Sequence, residues 1–171
     1  MATPPAFDRC YSACRYAHPV DHLINQFKFF DDLTSGTLLT NILGEYLSNH
    51  ADMPDTIVAV PLHWRRHWQR GFNQAQFLAD QLSHQLNIKT MAGISRQKHT
   101  TKQQGLDRRE RLRNLRQAFN IKGAFEGLHI AVVDDVVTTA TTASTIATLL
   151  KKAGASRVDI WSIARTPAPS K

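Results

Sequence analysis

One run constrains this chain more than any other: His129-Ile130-Ala131-Val132-Val133-Asp134-Asp135-Val136-Val137-Thr138-Thr139-Ala140-Thr141-Thr142. An apolar strand ends in two adjacent carboxylates. Two valines follow, then five small residues, four of them threonine. The period then turns helical, with Ala143, Ile146, Ala147 and Leu150 on one face. A buried strand, an acidic pair, a hydroxyl-rich loop and a helix N-terminus are the parts of a ribose-phosphate site. Loop amides and the helix dipole attract a phosphate. The carboxylates can accept hydrogen bonds from sugar hydroxyls or hold Mg²⁺. An ordinary strand-turn-helix of a parallel α/β domain is the plainer reading. Adjacent acids at the strand's carboxyl end, followed by four threonines, argue against it.

The rest of the chain supplies a frame for that run. Residues 7–16 read as extended. His22 to Phe30 is helical, with Leu23, Ile24 and Phe27 on one side. Leu38, Leu39, Ile42, Leu43, Tyr46 and Leu47 give a second helix. Thr56 to Pro61 is a short β-branched strand suited to burial on both faces. Asn73 can cap a helix whose apolar face is Phe77, Leu78, Leu82 and Leu86. Short strands are expected within 88–94 and at 118–121. The helix after the threonines ends near Gly154, and residues 157–164 form a last strand. Strands alternating with helices predict a doubly wound parallel sheet, with ligands beyond the strands' carboxyl ends.

A chain of 171 residues can bury one substantial core, so a single domain over 1–171 is expected. No run of about 18 apolar residues exists, so no membrane-spanning helix is expected. The first residues lack the basic-then-apolar pattern of a secretory signal, which points to a cytoplasmic protein. Cys10 and Cys14 are the two cysteines. Two thiols alone cannot complete a zinc site, and a Cys10-Cys14-His18-His22 set is broken by Pro19. No zinc is expected, and the thiols read as reduced and half-buried near the first strand.

The net charge of +7 is unevenly spread. Residues 96–116 carry eight Lys or Arg against Asp107 and Glu110, and Arg65, Arg66 and Arg70 form a second basic group. Such segments fit polyphosphate or nucleic acid. No aromatic residue lies within 96–116, which weakens recognition of single strands by stacking. The buried strand at 58–60 opens into Pro61-Leu62-His63-Trp64-Arg65-Arg66 and then Arg70-Gly71-Phe72-Asn73-Gln74. A diphosphate leaving group needs the cations and amides that this segment offers.

The 129–142 run resembles the phosphoribosyl pyrophosphate (PRPP) signature of type I phosphoribosyltransferases, with Ala140 standing where that signature usually has glycine. The resemblance narrows to the ComF/GntX family. It rests on Pro61-Leu62-His63-x-Arg65-Arg66 with Arg70-Gly71-Phe72-Asn73-Gln74-Ala75. It rests also on Arg96, Thr100, Gln103, Leu106, Arg111, Asn114, Ala118 and Phe119 at their spacings, and on Tyr16 with Leu23, Ile24, Phe27 and Lys28. It covers residues 7 to 166. It implies an α/β type I phosphoribosyltransferase fold with an N-terminal hood at about 7–50, a basic lid at 96–116 and the PRPP motif at 129–154.

The resemblance also implies chemistry. Thr138, Thr139, Ala140, Thr141 and Thr142 would hold the 5′-phosphate of PRPP. Asp134 and Asp135 would hold the ribose hydroxyls, directly or through Mg²⁺. Leu62, His63, Arg65 and Arg66 would hold the diphosphate, and Thr100 and Lys102 would ride on the lid. A mobile basic loop closing over the diphosphate would exclude water while the sugar carbon becomes cation-like. The implied activity is phosphoribosyl transfer with diphosphate release, acceptor open. The alternative is a non-catalytic PRPP or nucleotide sensor assisting DNA uptake or utilisation. Expected partners are a small-molecule phosphoribosyl donor and proteins of DNA uptake. Direct nucleic-acid binding is less favoured, no membrane partner is expected, and homodimerisation is left open. Many relatives begin with a four-cysteine zinc ribbon; this chain starts where that ribbon would end, as expected of a truncated or ribbonless member. If the Ala140 position needs a left-handed backbone, alanine there costs about 1–2 kcal/mol.

Overall fold

The computed structural model describes residues 4–62, 72–96 and 118–167. Its main sheet has four strands in the order β1-β6-β5-β2, every neighbouring pair parallel. They are β1 (Arg9–Arg15), β2 (Thr56–Ala59), β5 (His129–Val137) and β6 (Arg157–Arg165). The two central strands, β5 and β6, are buried on both faces, and β5 reads as an apolar run from Ile130 to Val133, whereas β6 carries the buried Asp159 and Ser162. The bridge between Ile57 and Thr90 adds one more parallel contact beside β2.

Three helices, α1 (Val20–Phe29), α2 (Leu33–His50) and α3 (Gln74–Leu86), share one core cluster with Ala131, Val133 and Trp161. Helix α4 (Thr141–Lys152) packs with Ile130, Val132, Val158 and Ile160 in the other cluster. The expected face of α4, Ala143, Ile146, Ala147 and Leu150, is buried throughout. Asn73 caps α3 as its residue type predicts, accepting from the Ala75 N–H at 3.1 Å.

The two short strands differ from expectation in their placement. The strand within 118–121 is β4 (Phe119–Ile121), and it pairs antiparallel with β3 (Ile94–Arg96) in a separate two-stranded ribbon. Both are three residues long, too short to carry a register signal into the main sheet. Cys10 and Cys14 lie half-buried on β1, where burial raises both thiol pKa values.

Charges at the amino end of the sheet neutralise one another. The fully buried Asp159 takes Nε and Nη2 of Arg157 at 3.1 and 2.7 Å, and His129 Nε2 lies 2.9 Å from it. Arg157 also reaches Asp52 at 2.8 Å. Among the described residues, no helix is long and apolar enough to cross a membrane.

Candidate functional site

Strand β5 delivers its acidic pair between two strands. Asp134 stands beside Ser162 of β6, while Ala59 of β2 stands beside Val133. Strand alternation places Asp134 on the side of Ile130 and Val132, which pack with α4, and Asp135 on the side of Ala131 and Val133. Both carboxylates are half-buried. Asp134 accepts the backbone N–H of Asp135 at 2.9 Å. Burial, and then the neighbouring charge of Asp135, push the Asp134 carboxyl up to about 7, against the opposing effects of that hydrogen bond and of Lys28.

Asp135 is held differently. Lys28 Nζ lies 2.8 Å from its Oδ2, each side chain only 17% exposed. The pair is too enclosed to be dismissed as a solvated surface contact. The lysine is aimed by its neighbour in the chain. Phe27 is fully buried, its ring 5.6 Å from that of Phe72 and 5.3 Å from that of Phe77. Gly36 makes room for it: a Cβ there would stand 2.5 Å from the Phe27 ring. In the sequence Lys28 belongs only to the patch of Leu23, Ile24, Phe27 and Lys28. Its contact with Asp135 spans more than a hundred residues, and no local period encodes it.

The threonine loop follows directly. Thr138 and Thr139 are exposed. Thr139 Oγ1 lies 3.0 Å from Thr141 Oγ1. Ala140 adopts the left-handed region at φ 56° and ψ 7°, so the backbone requirement raised by its residue type is real. No side chain caps α4, although Ser144 N–H donates back to the Ala140 carbonyl at 2.8 Å. An uncapped N-terminus presents amides and the positive end of the dipole to an anion. The loop is tied to the end of β6, since Thr166 N–H donates to the Val137 carbonyl at 3.1 Å and its hydroxyl to that of Thr138 at 3.3 Å.

Leu62 is half-buried just beyond β2, one strand away from the acids. His63, Arg65, Arg66, Thr100 and Lys102, with the rest of the 97–116 stretch, lie outside the described residues. The acidic pair was also a candidate for Mg²⁺. One carboxylate already has a lysine counter-ion and the other retains a proton up to about 7. Among the described residues no three His, Cys, Asp or Glu converge. The pair does not fit a divalent ion held by the chain alone.

Comparison with known proteins agrees with this arrangement. The family described as "Phosphoribosyl transferase domain" matches residues 35–171. The DNA utilization protein YhgH of Escherichia coli K12 is 39% identical over 172 aligned residues, covering 97% of this chain and 76% of the relative. Competence protein F of Haemophilus influenzae is 37% identical over 170, covering 94% and 74%. Among solved structures, adenine phosphoribosyltransferase from Leishmania donovani superimposes with a TM-score of 0.55 at 12% identity, covering 89% of this chain and 70% of that one. That likeness concerns the fold.

Proposed function

Since the chain belongs to the phosphoribosyl transferase domain family, among relatives of the competence protein F type, we propose that it binds PRPP and transfers its phosphoribosyl group with release of diphosphate. The observation that carries this reading is the succession at the end of β5: two half-buried acids, a left-handed turn and an uncapped helix N-terminus. The 5′-phosphate sits on the amides and hydroxyls of residues 138–142. The ribose hydroxyls donate to Asp134 and Asp135, with Lys28 keeping Asp135 in place. The diphosphate lies toward Leu62 and the basic residues His63, Arg65 and Arg66 that follow it, with Thr100 and Lys102 as further ligands.

In the transfer, the bond from the sugar's C1 to the diphosphate oxygen breaks, and a bond from C1 to a nucleophilic acceptor nitrogen forms. The nitrogen's proton leaves to solvent or to the departing diphosphate. The carboxylates face a sugar whose ring gains positive character, which their negative charge favours. No protein nucleophile is required.

Calorimetric titration of PRPP into the parent and into the Asp134→Asn, Asp135→Asn double variant tests this reading. Affinity should fall at least tenfold, about 1.4 kcal/mol, with the circular dichroism spectrum unchanged. Equal affinity would overturn the ribose assignment. A second reading draws on the names of the relatives, a DNA utilization protein and a competence protein. On it, the chain senses PRPP or a nucleotide for a DNA-processing partner and transfers nothing. PRPP binding without diphosphate release across a panel of bases and amines would favour it.

A further inference from the structure

A cleft of about 700 Å³ opens at the carboxyl ends of β1 and β6, against the outer side of the phosphate loop. Thr138 and Thr139 form one wall, Ser12 and Tyr46 contribute to the others, and Arg15 and Arg165 stand at the strand ends. Among the described residues, no acidic side chain lines it. The two arginines are direct partners in the parallel register of β1 and β6. Like charges set opposite each other on adjacent strands destabilise a sheet. Elsewhere the described arginines are compensated: Arg9 and Arg157 pair with acids, and Arg96 lies over the Phe119 ring. No carboxylate among the described residues pairs with Arg15 or Arg165.

The order of strands gives this cleft a position in the proposed reaction. Along the carboxyl edge, β2 leads to the diphosphate segment, β5 carries the acids that hold the sugar, and β6 with β1 carries the arginines. The sugar therefore lies between the leaving group and the cleft. A nucleophile that displaces diphosphate approaches C1 from the side opposite to it, which is the β6 and β1 side. The cleft also has the volume of a small-ligand pocket. We propose that it is the acceptor pocket, and that Arg15 and Arg165 select a nitrogen nucleophile bearing an anionic group, a carboxylate in the simplest case. Guanidinium forks match a carboxylate in two-point hydrogen bonds, and Ser12 and Tyr46 offer hydroxyls to the remaining polar edges. This rests on the reading that the 138–142 loop holds the donor's 5′-phosphate.

The test uses the full chain, with ribose 5-phosphate and diphosphate present at saturation. Orotate is titrated against uracil, and nicotinate against nicotinamide. At least one carboxylate should bind ten times more tightly than its neutral partner. The Arg15→Gln, Arg165→Gln double variant should lose that preference while its PRPP affinity stays within twofold of the parent. Three results would overturn the proposal: no preference in the parent, a preference that survives in the variant, or a variant that loses PRPP affinity instead. PRPP binding by the parent is measured separately. Its absence together with an intact, arginine-dependent carboxylate preference would remove the donor reading and leave an anion cleft of another purpose.

Discussion

Replacing Ala140 by glycine should stabilise the protein, although Ala140 lies beside the proposed ligand. The alanine holds φ 56°, where a Cβ crowds the following carbonyl. That conformation costs an L-residue about 1–2 kcal/mol. Glycine removes the crowding but loses about 0.5–1 kcal/mol more backbone entropy on folding. The two ranges subtract to about 0–1.5 kcal/mol, a gain of about 0.75 kcal/mol at their midpoints. For a domain of this length a gain of 1 kcal/mol raises Tm by about 2–4 °C, so the rise should be about 1.5–3 °C. Thermal unfolding by circular dichroism and urea denaturation with an unchanged slope are the assays. PRPP affinity should equal or exceed the parent's, because glycine accepts the same backbone. A Tm below the parent's would show that residue 140 does not hold the left-handed turn, and the geometry of the 138–142 loop would have to be redrawn.

The Asp134 carboxyl makes stability depend on pH. Its folded pKa of about 7 lies above the ordinary value of 3.8, so the folded state binds the extra proton and loses relative stability as pH rises from about 4 to 7. Asp134→Asn should therefore gain on the parent between pH 5 and pH 8, by on the order of 1 kcal/mol in urea unfolding; a difference that stays constant across that window refutes the burial argument. Lys28→Met should turn the acidic pair into a cation site, lowering the Kd for Mn²⁺ at least tenfold in a calorimetric titration, whereas unchanged affinity would mean that Lys28 is not the counter-charge. Gly36→Ala should push Phe27 out of its place, at a cost of about 1–3 kcal/mol in stability, and should also weaken PRPP binding through Lys28. Full stability in that variant would show that the helices pack with more room than described.

Much of this was legible in the sequence, and the reasons differ by element. The β5 run announced itself because a strand buried on both faces has no polar residue until it reaches its ligand end, where Asp134 and Asp135 stand. The period of α4 and the Asn73 cap of α3 are local rules, and both hold in the structure. Ala140 posed a backbone question that its residue type could raise but not answer. Lys28 was opaque in its role, since an ion pair between α1 and β5 depends on how Phe27 packs against Phe72 and Phe77. Arg15 and Arg165 were invisible as a pair because strand register, not local sequence, brings them together. They stand 150 positions apart in the chain, and only the parallel register of β1 with β6 makes them neighbours.

That register also shapes how the chain must fold. β1, at residues 9–15, finds its sheet partner in β6, at residues 157–165, so a strand made early in synthesis waits for the last one. Pairing across such a sequence separation is slow, because loop closure precedes any gain from contact. During translation β1 carries Cys10, Cys14 and an open row of backbone donors and acceptors with no mate. β2 and β5 can join before it, and the cleft between β1 and β6 is the last part of the carboxyl edge to come into being. A newly made chain therefore acquires its acidic pair first and its paired arginines only when the sheet closes.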